Sequence, residues 1–196
     1  RAGSGGARAA PRPLVDTLSG AFALRALAHV LPADAIVVEE APSHRNALHE
    51  YVPIERAGTF YAAASGSLGW ALPAAVGAAL ARPSRRIVAI LGDGSSMYAI
   101  TALWTAARFA LPITFVILDN ASYAAMNQFG RFLGFEGMPS FDLAGLDFVR
   151  AAEAFGVRGV RIELAGDLEE AFRACFASPL PTLVDIAVDD AAATIY

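Results

Sequence analysis

The sequence contains no lysine: all 15 of its basic residues are arginine, set against 19 acids for a net charge of −4. Scattered arginines in a mildly acidic chain do not make the basic face that nucleic acid demands, so no nucleic-acid partner is expected. Cysteine is nearly missing as well. Cys175 stands alone, which excludes a disulfide framework and a cysteine-based zinc site. It falls in an apolar helical pattern and is expected to be a buried small hydrophobe. No apolar run approaches the ~18–20 residues of a membrane span without a charge or a Pro/Gly break, so no membrane association is expected. Charge is sparse at 17%, and apolar residues reach 56%, which excludes disorder. A length of 196 residues suits one α/β domain with a real core and is short for two.

The organisation along the chain follows from periodicity. Residues 1–13 are rich in Gly, Ala, Arg and Pro, begin with Arg1, and carry no apolar leader segment. They read as a flexible interdomain linker, and the chain is expected to be the C-terminal piece of a longer, cytoplasmic protein. Residues 14–190 form the predicted domain, and 191–196 a tail. Within the domain, helices are predicted over 14–31, 70–81, 95–110, 148–155 and 167–177. Short apolar strands are predicted over 35–38, 59–63, 86–91, 113–118, 157–162 and 182–188. Residues 40–57 read as polar and irregular, with Pro42 and Pro53 as breakers. About six strands, apolar on both faces and separated by helices, predict an α/β fold: a doubly wound parallel sheet covered on both sides. Ligands of such sheets bind beyond the carboxyl ends of the strands.

The sharpest motif lies at such an end. Gly92-Asp93-Gly94-Ser95-Ser96 follows the strand over 86–91. The glycines permit a tight turn, and the helix predicted to start at Ser95 offers free N–H groups and a hydroxyl cap, which suit a phosphate. Asp93 then conflicts with that phosphate. Arg85 and Arg86 begin the same strand and so lie roughly 20 Å away. A divalent cation removes the conflict, because Mg²⁺ takes about six oxygens and is commonly shared between carboxylates and phosphates. The next strand ends in Asp119-Asn120-Ala121-Ser122-Tyr123. Sequential parallel strands often neighbour each other, so Asn120 offers a neutral oxygen to the same ion. The runner-up is a dinucleotide fingerprint, but Met97 occupies its third glycine position.

Gly-Asp-Gly followed some 25 residues later by Asn resembles the signature of thiamine diphosphate enzymes. The segment Ala63-Ala64-Ser65-Gly66-Ser67-Leu68-Gly69-Trp70-Ala71-Leu72-Pro73 is similar to the stretch beneath the cofactor in the pyruvate decarboxylase and acetolactate synthase superfamily. Ala102-Leu103-Trp104-Thr105-Ala106-Ala107, followed by Leu111-Pro112-Ile113, resembles the benzoylformate decarboxylase branch in particular. The resemblance covers roughly residues 14–190 and implies the diphosphate-binding C-terminal domain.

It implies thiamine diphosphate and Mg²⁺ as cofactors, with Asp93, Asn120 and the Ser122 carbonyl on the metal. It places Gly94, Ser95 and backbone around Tyr123 and Ala124 on the diphosphate, together with the Ser43 hydroxyl. Gly66 would offer its carbonyl to the aminopyrimidine, and Leu68 would prop the cofactor into a bent shape. Ala125, Met126 and Phe129 fall where substrate-pocket residues are expected. Many members carry Asn where this chain has Asp119, a carboxylate that could tune the site or point away from it.

The activating Glu of the superfamily belongs to a separate pyrimidine-binding domain, of the same protein or a neighbouring subunit, and no segment here resembles it. Glu39 and Glu40 read as loop or capping acids. His29 reads as core or surface, while His44 and His49 could approach a substrate. No catalytic residue is assigned to this chain. The implied activity is cleavage of the bond next to the carbonyl of a small 2-oxo acid, with loss of CO₂, in a homodimer or homotetramer. The chain alone is expected to bind cofactor weakly and not to turn over. An acetolactate synthase-like carboligase and a non-catalytic cofactor-binding or assembly module are the alternatives.

Overall fold

A computed structural model describes residues 18–135 and 142–189. The linker assigned to 1–13 and the tail assigned to 191–196 lie outside the described residues. Six strands form one sheet: β1 Ile36–Glu40, β2 Phe60–Ala62, β3 Ile87–Gly92, β4 Ile113–Asp119, β5 Arg158–Ile162 and β6 Thr182–Ala187. Their order is β2-β1-β3-β4-β6-β5, and every pairing is parallel. β1 and β4 are buried along their whole length, and β3 along all but Gly92. Strands buried on both faces in this way are what a sheet covered by helices on both sides requires.

The two faces carry separate apolar cores. Val37, Val88, Val116 and Val184 point to one face, beneath α1 Gly20–Val30, α2 Arg45–Tyr51 and α8 Leu168–Ala177. Val38, Ala89, Phe115 and Leu183 point to the other, beneath α3 Ala71–Ala81, α5 Ala102–Arg108 and α7 Phe148–Ala154. Cys175 is a buried member of the first core. No helix among the described residues is long and apolar enough to cross a membrane.

Three local differences from the sequence reading matter. The stretch 40–57 is not irregular: after β1 it makes a 3-10 turn over Pro42–His44 and then α2. The single helix expected over 95–110 is broken into α4 Asp93–Ser96 and α5, joined by i→i−3 turns such as Tyr98 N–H to Ser95 O. The Ser96 hydroxyl donates back onto the Gly92 carbonyl at 2.8 Å, which offers the backbone an alternative to a continuing helix. A helix not anticipated, α6 Ala124–Phe132, follows β4.

The chain passes from β1 to β2 on one side and then to β3 on the other side of β1. The strand order therefore reverses between β1 and β3. A crevice opens at the carboxyl ends of strands at such a reversal.

Candidate functional site

The crevice is a cavity of about 330 Å³ lined from four segments. The end of β1 and the turn after it supply Glu39, Glu40, Pro42, Ser43, Arg45 and Asn46. The small-residue turn before α3 supplies Ala63, Ser65, Gly66, Ser67 and Leu68. The turn after β3 gives Gly92, Asp93, Gly94 and Ser95, and the turn after β4 with α6 gives Ser122, Tyr123, Ala125, Met126 and Phe129.

The register explains the convergence. Gly92 at the end of β3 pairs with Leu118 of β4, so the turns that follow both strands leave the sheet at the same level. The Ser122 N–H donates to Asp93 Oδ2 at 3.0 Å and to Asn120 Oδ1 at 3.2 Å. One carboxylate oxygen and one amide oxygen, 27 residues apart in sequence, thus meet on a single donor. The other carboxylate oxygen of Asp93 accepts from the Gly94 N–H at 2.7 Å. Burial pushes the Asp93 carboxyl up to about 7; the Gly94 and Ser122 N–H groups oppose this, and the Asp119 carboxylate adds to it. A divalent cation would act in the opposite sense and hold the carboxylate ionised.

Among the described residues, no cluster of three or more His, Cys, Asp or Glu side chains could hold a metal ion. One carboxylate with neutral carbonyl oxygens is instead the donor set of a hard cation that keeps water and shares a phosphate ligand. The residues present therefore fit a magnesium-bridged diphosphate.

Of the residues named from sequence, Ser43, Gly66, Leu68, Asp93, Gly94, Ser95, Ser122, Tyr123, Ala125, Met126 and Phe129 all line the cavity. Asn120 and Ala124 do not line it. Asn120 is half-buried in the turn after β4, and Ala124 is buried at the start of α6. Two of the local reasons also change. Gly94 is required less for a ligand than for Tyr123: an added Cβ would stand 2.4 Å from Tyr123 Cε1. The Ser95 hydroxyl faces inward, donating to the Glu40 carbonyl at 2.7 Å and accepting from the Gly92 N–H at 3.1 Å.

The acids at the end of β1 do serve as loop and capping acids, whereas sequence reasoning missed the arginine beside them. Both carboxylate oxygens of Glu40 are committed to backbone, accepting from the Gly69 N–H at 2.5 Å and the Ala71 N–H at 2.7 Å. They tie β1 to the small-residue turn and to the first turn of α3. Glu39 Oε1 accepts from the Ala41 N–H at 2.9 Å and from Arg45 Nε at 3.3 Å. Arg45 is a basic residue on the cavity wall that proximity along β3 could not reveal. Arg86, by contrast, is at the far end of the sheet, where Nη2 donates to the carbonyls of Phe176 and Ser178.

None of the three histidines lines the cavity. His29 is exposed and meets Glu169 at 3.3 Å. His49 packs against the Phe60 ring at 5.5 Å. His44 is buried against Gly20, and burial holds its pKa down at about 4.

Comparison with known proteins agrees with this geometry. The family described as "Thiamine pyrophosphate enzyme, C-terminal TPP binding domain" matches residues 41–186. Benzoylformate decarboxylase of Pseudomonas aeruginosa PAO1 is 40% identical over 155 residues, which are 79% of this chain and 29% of the relative. The acetolactate synthase isozyme 2 large subunit of Escherichia coli K12 is 31% identical over 177 residues, covering 89% of this chain and 32% of the relative. Among solved structures, the thiamine diphosphate-dependent 4-hydroxybenzoylformate decarboxylase of Rhodococcus jostii RHA1 superposes with a TM-score of 0.86 at 39% identity, over 88% of this chain and 33% of that one. This chain thus spans about a third of the length of these relatives. With its parallel sheet, its matched segment and its crevice at the strand reversal, the chain belongs to the C-terminal thiamine pyrophosphate-binding domains of the thiamine pyrophosphate (thiamine diphosphate) enzymes.

Proposed function

We propose that this domain is the diphosphate-binding half of a 2-oxo acid decarboxylase of the benzoylformate decarboxylase type, which releases CO₂ by cleaving the bond beside the carbonyl. The convergence of Asp93 and Asn120 on the Ser122 N–H carries the reading. Asp93 supplies the negative charge for Mg²⁺, and Asn120 and the Ser122 carbonyl supply neutral oxygens. Backbone N–H groups around Gly94, Ser95 and Tyr123–Ala124, with the Ser43 hydroxyl, take the diphosphate. Leu68 and the Gly66 carbonyl hold the organic part of the cofactor, on a turn that Glu40 fixes. When bound, thiamine diphosphate supplies the nucleophilic carbon and the electron sink. Met126 and Phe129 give an apolar wall suited to an aryl group, and Ala125 leaves space beside it.

The activating carboxylate comes from a pyrimidine-binding domain, and the working protein is a homodimer or homotetramer. The test is CO₂ release from benzoylformate and pyruvate by the protein carrying this domain together with a pyrimidine-binding domain. Turnover of benzoylformate in preference to pyruvate is expected. Bound cofactor with no release of CO₂ from either would overturn the decarboxylase reading. The match to an acetolactate synthase favours one second reading, a carboligase, which would also release CO₂ from one 2-oxo acid but join the remaining fragment to a second, so that a 2-hydroxy-3-oxo acid forms in place of the aldehyde.

A further inference from the structure

A second charged cluster stands directly behind the metal-side turn. Arg161 of β5 is in register with Asp185 of β6, and Asp185 with Ile117 of β4. Asp119 lies two residues beyond Ile117, so alternation puts all three charged side chains on one face of the sheet. Arg161 Nη1 donates to Asp185 Oδ2 at 2.5 Å and to Asp119 Oδ2. The Asp119 and Asp185 side chains are only 4% and 2% exposed, and that of Arg161 is 20% exposed.

The remaining oxygen of Asp119 faces the site. Asp119 Oδ1 accepts from the Ala121 N–H at 2.9 Å. Ala121 has φ 56°, the left-handed region that a residue with a Cβ occupies only when its surroundings impose it. The following N–H, that of Ser122, is the one on which Asp93 and Asn120 converge. A continuous set of contacts therefore runs from Arg161 through Asp119 to the left-handed turn and on to the metal-side oxygens.

We infer that Arg161 is a positioning residue for the cofactor site: by gripping Asp119 against Asp185 it holds the 119–122 turn in shape. The inference rests on the cofactor reading above. Asp119 places one oxygen on Arg161 and the other on the Ala121 N–H, and it stands close enough to Asp93 to raise that carboxyl. Without Arg161, two buried carboxylates face each other with no cation between them. Nothing then holds the two side chains together, and the turn loses its anchor.

The test compares amide hydrogen–deuterium exchange in the 196-residue chain and its variants, without cofactor. In R161M, exchange over 120–122 is expected to quicken by about tenfold or more, the loss typical of a hydrogen bond to a charged group. Exchange over 87–92 in β3 stays at its original rate. R161K, which returns one ammonium to the gap, recovers most of the protection. D119N/R161M recovers it by another route: the new amide donates to Asp185 while its carbonyl keeps the Ala121 N–H. If R161M does not fold, D119A removes the same turn contact while leaving the Arg161–Asp185 pair, and carries the same expectation.

Magnesium-dependent uptake of thiamine diphosphate, followed by calorimetry, should fall and recover in the same order. Protection over 120–122 that is unchanged, or lost only in step with β3, would overturn the inference. So would failure of D119N/R161M to recover it, or cofactor uptake in R161M as tight as in the original chain. An original chain that takes up no cofactor would count against the cofactor reading alone, and the exchange comparison would still decide the role of Arg161 in the turn.

Discussion

Gly94 shows how a single missing atom shapes this site. Its position has no room for a side chain, because an added Cβ would stand 2.4 Å from Tyr123 Cε1 and 2.5 Å from Cδ1. Gly94→Ala must push the ring or the turn aside, at a cost of about 1–3 kcal/mol. Weaker cofactor binding by calorimetry, together with a lower unfolding midpoint, is the expected result. His44 illustrates the opposite case, a polar residue held in an apolar place. Its pKa falls from 6.5 to about 4, so between those values the unfolded chain takes up the proton more readily than the folded one. The neutral form is stable above about pH 6.5, and as the pH drops towards 4 up to about 3 kcal/mol is lost. Asp93, shifted upward, contributes with the opposite sign over part of this range. The clean measurement is therefore the difference between the original chain and His44→Phe in denaturant unfolding from pH 7 to pH 4. The original chain should lose stability relative to the variant on acidification, and a constant difference would contradict the assignment.

Glu40 connects three elements, and its carboxylate meets two backbone donors at once. In Glu40→Gln one amide nitrogen would face an N–H. Loss of about 1.5–3 kcal/mol in denaturant unfolding is expected, with looser exchange in the turn before α3. An unchanged unfolding curve would mean the clamp is not formed in solution. The elements differ in how plainly the sequence declares them. β3 is an unbroken apolar run and β4 is interrupted only by Thr114 before Asp119, both between turn residues, and their Gly-Asp-Gly and Asp-Asn ends follow from that reading. α2 is hidden because only Leu48 of its residues is fully buried, between Pro42 and Pro53. α6 is hidden because it buries only Ala124 and Gly130 and leaves Phe132 exposed, so no inward stripe marks it. The Arg161–Asp119–Asp185 cluster could not be read at all, since it depends on β6 inserting between β4 and β5.

Across the whole molecule, strand order places the site: the connections after β1 and β3 run to opposite sides where the strand order reverses, and all four lining segments open there. The same view shows what lies uncovered. Trp104 and Phe109 of the α5 region and Phe132 and Phe135 at the end of α6 are all more than half exposed. Exposed aromatics in this number suit an interaction face. The chain is expected to self-associate, or to bind a pyrimidine-binding domain, through these elements. Light scattering at high concentration should report species above the 20.5 kDa of one chain, and Trp104→Glu with Phe132→Glu should reduce them.

The most direct measurement concerns the oxygen pair at the strand ends. Thiamine diphosphate is titrated into the protein with Mg²⁺, with a chelator in its place, and again with Asp93→Asn in the presence of Mg²⁺. Saturable binding is expected with Mg²⁺ alone, and the substitution should weaken it beyond the about 10–100-fold typical of residues that merely support a metal ligand, with the unfolding midpoint preserved. Equal affinity in the chelator, or in Asp93→Asn, would contradict a diphosphate held through a cation shared by Asp93 and Asn120.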